Sequence, residues 1–385
     1  MLGRILCAAA TAAVLSVSLF QAPTYAAVSN TPVAGFPEFN DVVHSLAKRG
    51  DVVYVGGEFT RVVDSAGSHV RRGAAAVNIN TGRVLPWNPK VRGDVHRVVA
   101  AKDGIYLAGE FTRVQGVARN NLAKVGPKAA AKLDRAFRPS TNGAVHALAL
   151  GPRRVFVGGD FTRVNGKVRT RLASFNRGGG FALTKWRPAA RNGDVRDLLR
   201  TRAGVYVAGE FRELNGRPTF QRLAMLNGST GRVIRSFNPA TQWVVIDIHV
   251  TRSRVYAGVG GPRGGEARAF QRADGANIFS RRFDGDVQAV TVWQGEVLVG
   301  GHFDVICNTL AAAPGGACVD GSTTRRRAAS LDTAGQLTSW NPEGNSDLGI
   351  TSFVVAGGAL AVGGDFTAMN GNTTPAVRFA KFNAR

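Results

Sequence analysis

The chain has 385 residues, with 49 Lys and Arg against 26 Asp and Glu, and so carries a formal net charge of +23. An apolar share of 44% is typical of a soluble globular protein and argues against a disordered chain or a membrane bundle. The charge indicates polyanions or anionic surfaces as partners; the alternative is an Arg-rich proteome that places Arg at solvated positions.

The first 26 residues predict a signal peptide. A short basic start ends at Arg4, and an apolar run from Ile5 to Phe20 follows, too short for a convincing membrane span. Thr24 and Ala26 fit the small residues preferred before a cleavage site. We therefore expect cleavage after Ala26, a secreted protein, and no transmembrane segment in the mature chain.

The rest of the chain repeats one pattern with a period of roughly fifty residues. Each repeat opens with an apolar segment such as "AVHALAL" (144–150), continues through "VFVGGDFTRVNG" (155–166) and "RLASFN" (171–176), and ends with a stretch such as "TGRVLPWNP" (81–89). The first valine or isoleucine of each opening segment, here called the anchor, recurs seven times: Val43, Val95, Val145, Val195, Val245, Val287 and Ile350.

Repeats of this length that read as four short strands predict the blades of a β-propeller. The fold class is therefore all-β: a single seven-bladed β-propeller over residues 28–385, with four-stranded blades. The seventh repeat stops after its third strand, at Arg385. The segment "NTPVAGFPEFN" (30–40) resembles the missing fourth strand, so we expect this N-terminal strand to pair beside "VRFAKFN" (377–383) and close the ring.

Two repeats depart from the pattern. The fifth has Gly260 and Gly261 where the others have an acid and Phe, and its next loop is short. The sixth has His302 for the acid and a Pro/Gly-rich insertion that contains Cys307 and Cys318. An even pair of cysteines in an exported chain predicts a disulfide. Irregular repeats can mark a functional notch, and drift explains them equally well.

The core "V-x-[GA]-G-[ED]-F-T-x-[VL]-N-G", with its tails "L-A-x-[FL]" and "[WF]-N-P", resembles the bacterial delta-60 repeat β-propellers. The resemblance covers residues 40 to 383 and implies an exported or surface propeller; it implies no catalytic residues. A more distant similarity to Kelch repeats rests on the double glycine alone, so no Kelch function is carried over.

The acid after the glycines recurs in five repeats. A calcium site needs six or more oxygens in one place, whereas the repeat supplies one carboxylate per blade, so a structural role in the following turn is favoured. The Phe after the acid is predicted to wedge between neighbouring blades. These structural positions are Glu58, Phe59, Glu110, Phe111, Asp160, Phe161, Glu210, Phe211, Phe303, Asp365 and Phe366.

Three histidines follow the anchor in the first three repeats: His44, His96 and His146. The first strand of a blade is innermost, so they are weak candidates for a three-His zinc site in the channel; tolerated residues on a wet channel wall are favoured. Asp94, Asp194 and Asp286 each precede an anchor and are expected at the same channel.

Arginines are frequent in the loops between second and third strands. Because Arg pairs bidentately with phosphate and sulfate groups, these loops predict a basic binding face, although a merely solvated rim is the alternative. The candidate binding residues are Arg71, Arg72, Arg119, Arg169, Arg171, Arg217, Arg222, Arg325, Arg326 and Arg327.

No nucleotide-binding, metalloprotease or serine-hydrolase motif is present, so we expect no cofactor and name no catalytic residue. The sequence favours a monomeric, non-catalytic extracellular binding or scaffold protein that engages an anionic envelope polymer, a glycan or an acidic protein; few aromatics lie outside core positions, which argues against nucleic acid. The alternative is an extracellular polysaccharide hydrolase or lyase with its site at the channel mouth, which predicts carboxylates converging on an axial pocket.

Overall fold

The structure, a computed structural model, describes residues 28–311 and 317–384. The predicted signal peptide, residues 1–26, lies outside them. Every regular element in these two ranges is a β-strand, which confirms the all-β class. The described part of the chain has no helix that is long and apolar enough to cross a bilayer.

Seven antiparallel sheets of three or four strands contain an anchor and follow one another along the described chain, one for each sequence repeat; an eighth three-stranded sheet lies at the edge of the first repeat. The first strand of each sheet contains the anchor. These strands are Val43–Arg49, Val91–Ala101, Val145–Leu150, Val195–Arg200, Val244–Val250, Val287–Trp293 and Ile350–Ala356.

The second strand of each sheet returns antiparallel through a tight turn and lies between the first and the third. The second strands are Val52–Gly57, Gly104–Val114, Arg154–Gly159, Val205–Gly209, Arg254–Gly260, Glu296–Gly301 and Ala359–Gly364. The third strands are Ala74–Asn78, Leu122–Val125, Leu172–Asn176, Leu223–Leu226, Glu266–Gln271, Ala328–Leu331 and Phe379–Asn383.

The predicted fourth strand is regular in the fifth sheet alone, at Asn277–Arg282. In the other repeats the same stretch makes a single bridge to the third strand, such as Val77 with Val84 or Phe175 with Leu183. Those stretches end in an aromatic residue followed two positions later by Pro, which cannot donate to a ladder. The fifth stretch continues instead into Phe283, Asp284 and Gly285.

Short hairpins occupy most loops between second and third strands, on the edge of the sheets. The short strands of these loops are Arg61–Asp64, Gly67–Val70, Val117–Ala118, Arg163–Val164, Lys167–Val168, Glu213–Leu214, Val305–Cys307, Ser322–Thr324, Ala368–Met369 and Thr374–Pro375. Two more, Glu38–Phe39 and Ala190–Arg191, each precede a first strand and pair with Arg61–Asp64 and Glu213–Leu214. The hairpin of the sixth repeat carries the predicted disulfide, which is confirmed between Cys307 and Cys318.

Seven clusters of buried apolar side chains lie between the sheets. Six clusters join sheets that are consecutive in the chain. The remaining cluster joins Val43 and Val53 of the first sheet to Ala361 and Phe379 of the seventh. Each of the six repeat phenylalanines, Phe59 among them, is at most 1% exposed and belongs to one of these shared cores.

The glycines of the repeat motif, which form a pair in four repeats and follow Ala108 and Ala208 in two others, permit close approach of backbones. A Cβ on Gly57 would come within 2.1 Å of the Val42 carbonyl oxygen, and a Cβ on Gly56 within 2.6 Å of Val98 in the next sheet. The same crowding recurs at Gly363, which faces Val43 of the first sheet at 2.5 Å. The pair is therefore required by packing along and between sheets.

The N-terminal segment contacts the seventh sheet. Val28 forms a bridge with Ala384, the Ser29 amide donates to the Asn383 carbonyl at 2.9 Å, and the Val33 amide donates to Lys381 at 2.8 Å. The contact is a set of separate hydrogen bonds, whereas the sequence predicted a continuous strand over 30–40.

Candidate functional site

A β-bulge in every first strand determines which side chains face the centre of the molecule. In the first sheet Val43 pairs with Gly57 and Ser45 with Gly56, so that His44 between them has no partner. A bulge turns its extra residue away from the regular alternation of side chains. The residues left out in this way are His44, His96, His146, Arg196, Ile246, Gln288 and Thr351.

All seven bulge residues line one cavity of about 520 Å³, here called the central cavity. The remaining lining comes from the first strands, the residues just before them and the residues just after second strands, and it includes Glu58, Glu210, Asp247 and Asp286. Because the starts of all seven first strands surround this cavity, their far ends lie on the opposite face. A strand rises about 3.3 Å per residue, so the two faces are roughly 20 Å apart.

The three predicted histidines meet in the central cavity. The rings of His96 and His146 are stacked with centroids 5.0 Å apart, and their Nδ1 atoms lie 3.1 Å apart, so one donates to the other. Burial and the neighbouring His44 lower the pKa of His96 to about 4; burial and His96 lower that of His146 to about 3. Both rings are neutral at pH 7.

His44 is engaged differently, since its Nε2 lies 2.8 Å from Glu58 Oε1. Among the residues that the structure describes, no three His, Cys, Asp or Glu side chains are arranged to hold a metal ion. The histidines therefore stack and hydrogen bond with one another and with a carboxylate.

The repeated acids have varied partners. Glu210 accepts from Arg196 at 2.8 Å, as Glu58 contacts His44, so in these two repeats the acid contacts the bulge residue of its own sheet. Asp365 accepts instead from the amides of Leu348 and Gly349, each at 3.0 Å. The sequence predicted partners in the following turn or among Arg61, Arg113, Arg163 and Arg212; for these three acids the partners lie in the first strand or the link before it.

Burial raises the pKa of Asp94 and of Asp194, the acids that precede two of the anchors. Arg196 opposes this effect at Asp194, since its Nε lies 3.0 Å from Asp194 Oδ2. Asp286, the third acid of this kind, lines the central cavity and accepts from the Gly261 amide at 3.0 Å.

A buried group of charges at the base of the cavity was missed by sequence reasoning. Arg97 donates to Asp197, and Asp197 accepts from the Ile248 amide of the next sheet at 3.2 Å. Asp247 accepts from Val290 of the following sheet at 2.8 Å. Burial, and then the charge of Asp197, raise the pKa of Asp247 to about 8, so this carboxyl is protonated at pH 7.

These residues stand two positions after the anchor, where two other sheets have serine. Ser45 Oγ accepts from the Val98 amide at 3.1 Å, and Ser352 Oγ accepts from the Leu46 amide at 3.0 Å. The position thus ties each of these first strands to the next. The sequence signal for these contacts was a polar residue two positions after the anchor in an otherwise apolar strand.

Most of the predicted binding arginines hold the backbone together. Arg71 and Arg169 donate to Leu85 and Thr184 carbonyls, each at 2.9 Å, and Arg325 has the same role. The others that donate to main-chain carbonyls are Arg119, Arg171, Arg222 and Arg327. Exposed side chains without such hydrogen bonds in the described part of the chain are Arg72, Arg217 and Arg326.

A second group of cations lies on the face opposite the central cavity, at the turns between first and second strands. In the first five repeats each of these turns carries at least one exposed Lys or Arg, whereas the sixth and seventh turns contain Gln294, Gly295 and Gly357, Gly358. This basic turn arc consists of Lys48, Arg49, Lys102, Arg153, Arg202 and Arg252.

None of these six side chains forms an ion pair with a carboxylate within residues 28–311 and 317–384. Asp103, which shares a turn with Lys102, is held by Arg177 Nη2 and by Lys124. Neighbouring cations of the same face, such as Arg154, donate to main-chain carbonyls. The arc therefore has an excess of positive charge, which the exposed Asp51 of the first turn offsets in part.

Comparison with known proteins identifies the fold. No protein-family model matches the chain, and no curated protein is similar to it. Among solved structures, the WD40 β-propeller domain of Doa1 is 12% identical with a TM-score of 0.55, covering 91% of this chain and 97% of that chain. The Pan2 WD40 domain of Neurospora crassa is 10% identical with a TM-score of 0.51, covering 89% of each.

These likenesses confirm a β-propeller fold. At such low identity they show the fold alone. No family model supports the resemblance to the delta-60 repeat propellers, which stays a prediction.

Proposed function

We propose that this protein is an exported, seven-bladed β-propeller that binds an anionic polymer through the basic turn arc. The observation that carries the proposal is the row of exposed, unpaired cations at the same turn of five consecutive repeats. The arc replaces the loop face suggested by the sequence, because most arginines of that face are hydrogen bonded to backbone.

Three observations support a ring of seven blades closed between the first and the last. Thr351 donates to the Val43 carbonyl, Ser352 accepts from Leu46, and a common core joins the first and seventh sheets. The N-terminal segment adds main-chain hydrogen bonds to the seventh third strand. A closed ring over residues 28–385 leaves only short edges exposed.

The signal-peptide pattern and the disulfide support export, because disulfides persist in oxidising compartments. Mass spectrometry of the protein recovered from culture medium tests this. A mature chain that begins at Ala27 is expected, and retention of residues 1–26 on a protein that stays inside the cell would refute it.

Adjacent blades are face-packed sheets about 10 Å apart, so five turns span roughly 40 Å. A linear polyanion laid along the arc can contact several cations at once. Each neutralised phosphate or sulfate releases counterions, so the logarithm of the affinity should fall linearly with the logarithm of the salt concentration.

Binding to polyphosphate and dextran sulfate, with uncharged dextran as the blank, tests the proposal at 50 and 200 mM salt. The triple variant Arg153→Ser, Arg202→Ser, Arg252→Ser removes three arc cations. Its matched control, Arg72→Ser, Arg217→Ser, Arg326→Ser, removes the three free cations of the loop face. The arc variant should lower the salt slope by about 2–3, and the control should change it little.

Binding that the loop-face control weakens more than the arc variant would reject the arc and return the site to the loops. Absence of polyanion binding by the wild-type protein at 50 mM salt would reject the function itself. Thermal unfolding of both variants checks that each remains folded, which is expected because all six substituted side chains are exposed.

A second candidate function, cleavage of an extracellular polysaccharide, is favoured by one observation. Glu58, Glu210, Asp247 and Asp286 all line the central cavity, as the sequence-based alternative required. Asp247 carries a proton at pH 7 and is thus the available general acid. Release of reducing or unsaturated ends from a polysaccharide panel, abolished by Asp247→Asn, is expected of such an enzyme; a panel without product rejects it.

A further inference from the structure

Of the five tryptophans, Trp243 is the most exposed, and Trp293 is partly buried against the core between the sixth and seventh sheets. Trp87, Trp186 and Trp340 are at most 2% exposed, and each donates its indole N–H to a main-chain carbonyl. Trp243 is 40% exposed, and its indole N–H has no hydrogen-bond acceptor among the described residues. Packing of the repeat therefore does not account for this side chain.

Trp243 stands two residues before an anchor, at a position that faces the rim of the central cavity. The position is glycine in four repeats: Gly93, Gly143, Gly193 and Gly285. In the seventh repeat it is Leu348, which lines the central cavity and is 54% exposed. Two large apolar side chains are thus presented to solvent on either side of the sixth sheet, where glycine is the usual residue.

A second cavity of about 360 Å³ lies beside Trp243, here called the fifth-repeat notch, with Gly261, Pro262, His302 and Asp286 in its lining. It is open because the fifth repeat lacks the hairpin of the other loops and passes from Gly260 almost directly to Glu266. Asp286 lines both this notch and the central cavity.

The indole is adjacent to residues that line each of the two cavities. A Cβ placed on Gly261 would come within 3.2 Å of the Trp243 ring, so the ring rests on that glycine. The residue after it, Val244, lines the central cavity. The two spaces therefore form one groove that passes the exposed indole.

Most charged groups along the groove are paired with one another, whereas Asp284 and Asp286 accept from main-chain amides and have no cationic partner among the described residues. Glu58 is paired with His44, Glu210 with Arg196, and Arg97 with Asp197. On a chain with a net charge of +23, this groove lacks the excess positive charge that an anionic ligand requires. The groove presents the apolar side chains of Trp243 and Leu348 beside hydrogen-bonding groups such as Gln288.

We propose that this groove binds an uncharged saccharide chain, with one sugar ring stacked on the Trp243 indole and the chain extending toward Leu348. A pyranose has an apolar C–H face and a rim of hydroxyls, which matches an indole bordered by donors and acceptors. The proposal concerns the face opposite the basic turn arc and does not depend on polyanion binding.

Titration with neutral hexasaccharides tests it, using cellohexaose, maltohexaose, laminarihexaose and chitohexaose as probes. Intrinsic tryptophan fluorescence reports binding to the wild-type protein, in which Trp243 is the most exposed indole. Isothermal titration calorimetry measures the affinities of the variants, because Trp243→Ala removes the reporter. At least one probe should bind with saturable change in emission. Trp243→Ala should weaken its affinity at least tenfold, Trp243→Phe less, and Leu348→Ala by a smaller factor.

The arc variant Arg153→Ser, Arg202→Ser, Arg252→Ser is the matched control and should bind the saccharide as the wild-type protein does. A failure of the polyanion function can therefore be told apart from a failure of this proposal. Equal binding by Trp243→Ala, or no fluorescence change with any probe at 10 mM, would overturn the proposal. So would Trp243-dependent binding of spermidine that a saccharide cannot displace, which would assign the groove to cations. Melting temperatures confirm that the exposed-site variants are folded.

Discussion

Replacement of Phe39 by alanine is expected to destabilise the protein far more than its place near the N-terminus suggests. Phe39 is fully buried. Its ring meets Phe59 of the first repeat edge-on, with centroids 4.7 Å apart, and lies 5.8 Å from Phe379 of the seventh. The side chain therefore fills the junction between the first and last sheets, which come from opposite ends of the sequence.

The magnitude follows from the cost of removing a buried phenylalanine, about 3–5 kcal/mol. For a chain of this size we take about 2 °C per kcal/mol, which gives a melting temperature lowered by roughly 6–10 °C. Phe36→Ala is the matched control, because Phe36 also stacks on Phe379, at 6.4 Å, but is only partly buried. We expect it to cost about 1 kcal/mol.

Thermal and denaturant unfolding of the mature protein measure both changes. A double-mutant cycle between Phe39 and Phe379 should give a coupling of about 1 kcal/mol between residues at opposite ends of the chain. Equal effects of Phe39→Ala and Phe36→Ala, or no coupling to Phe379, would show that the first and seventh sheets are not held together here.

Three further predictions concern buried groups. Arg281 is fully buried and donates to the Gly335 and Cys307 carbonyls at 2.8 Å, so Arg281→Met should cost about 2–4 kcal/mol in denaturant unfolding; a neutral effect would contradict this. Asp247 binds a proton in the folded state up to a pKa of about 8, whereas the unfolded carboxyl ionises near its usual value. The contribution of protonated Asp247 to stability is thus full in acid and is lost as the pH rises to 8. The melting temperature of Asp247→Asn relative to wild type should therefore rise from pH 5 to pH 8.5. A difference that stays constant with pH would refute the raised pKa of Asp247. Reduction of the Cys307–Cys318 disulfide should cost roughly 3 kcal/mol, and a melting curve unchanged by thiol would show that the loop is constrained by other contacts.

The period of the repeat was sufficient to predict the all-β propeller, because each anchor and glycine pair encodes a local strand and a close approach that any blade needs. The disulfide was predicted in the same local way, from two cysteines within one insertion. It overestimated the fourth strand, since the aromatic-x-Pro ending looks like strand sequence and yet removes a ladder donor shortly after the aromatic residue.

The candidate sites depended on contacts between repeats, which spacing does not reveal. Arg71 and Arg169 looked like surface charge, but each reaches a carbonyl in the stretch that follows its own third strand. Arg97 and Asp197 are a hundred positions apart and meet only because their strands face a common centre. The sequence placed the tryptophans as a group at core positions of the repeat, whereas Trp243 is 40% exposed.

The bulges have a consequence for how this scaffold can change. Each one separates the residue that carries the fold, the anchor, from the neighbour that faces the cavity, so the two can be substituted independently. His44, His96, Arg196 and Ile246 already show that a base, a cation and an aliphatic side chain are tolerated at equivalent positions. Seven such positions, each on a separate sheet, surround one pocket, and substitutions at them can be combined. A library randomised at these seven codons would vary ligand preference while leaving the sheets unaltered.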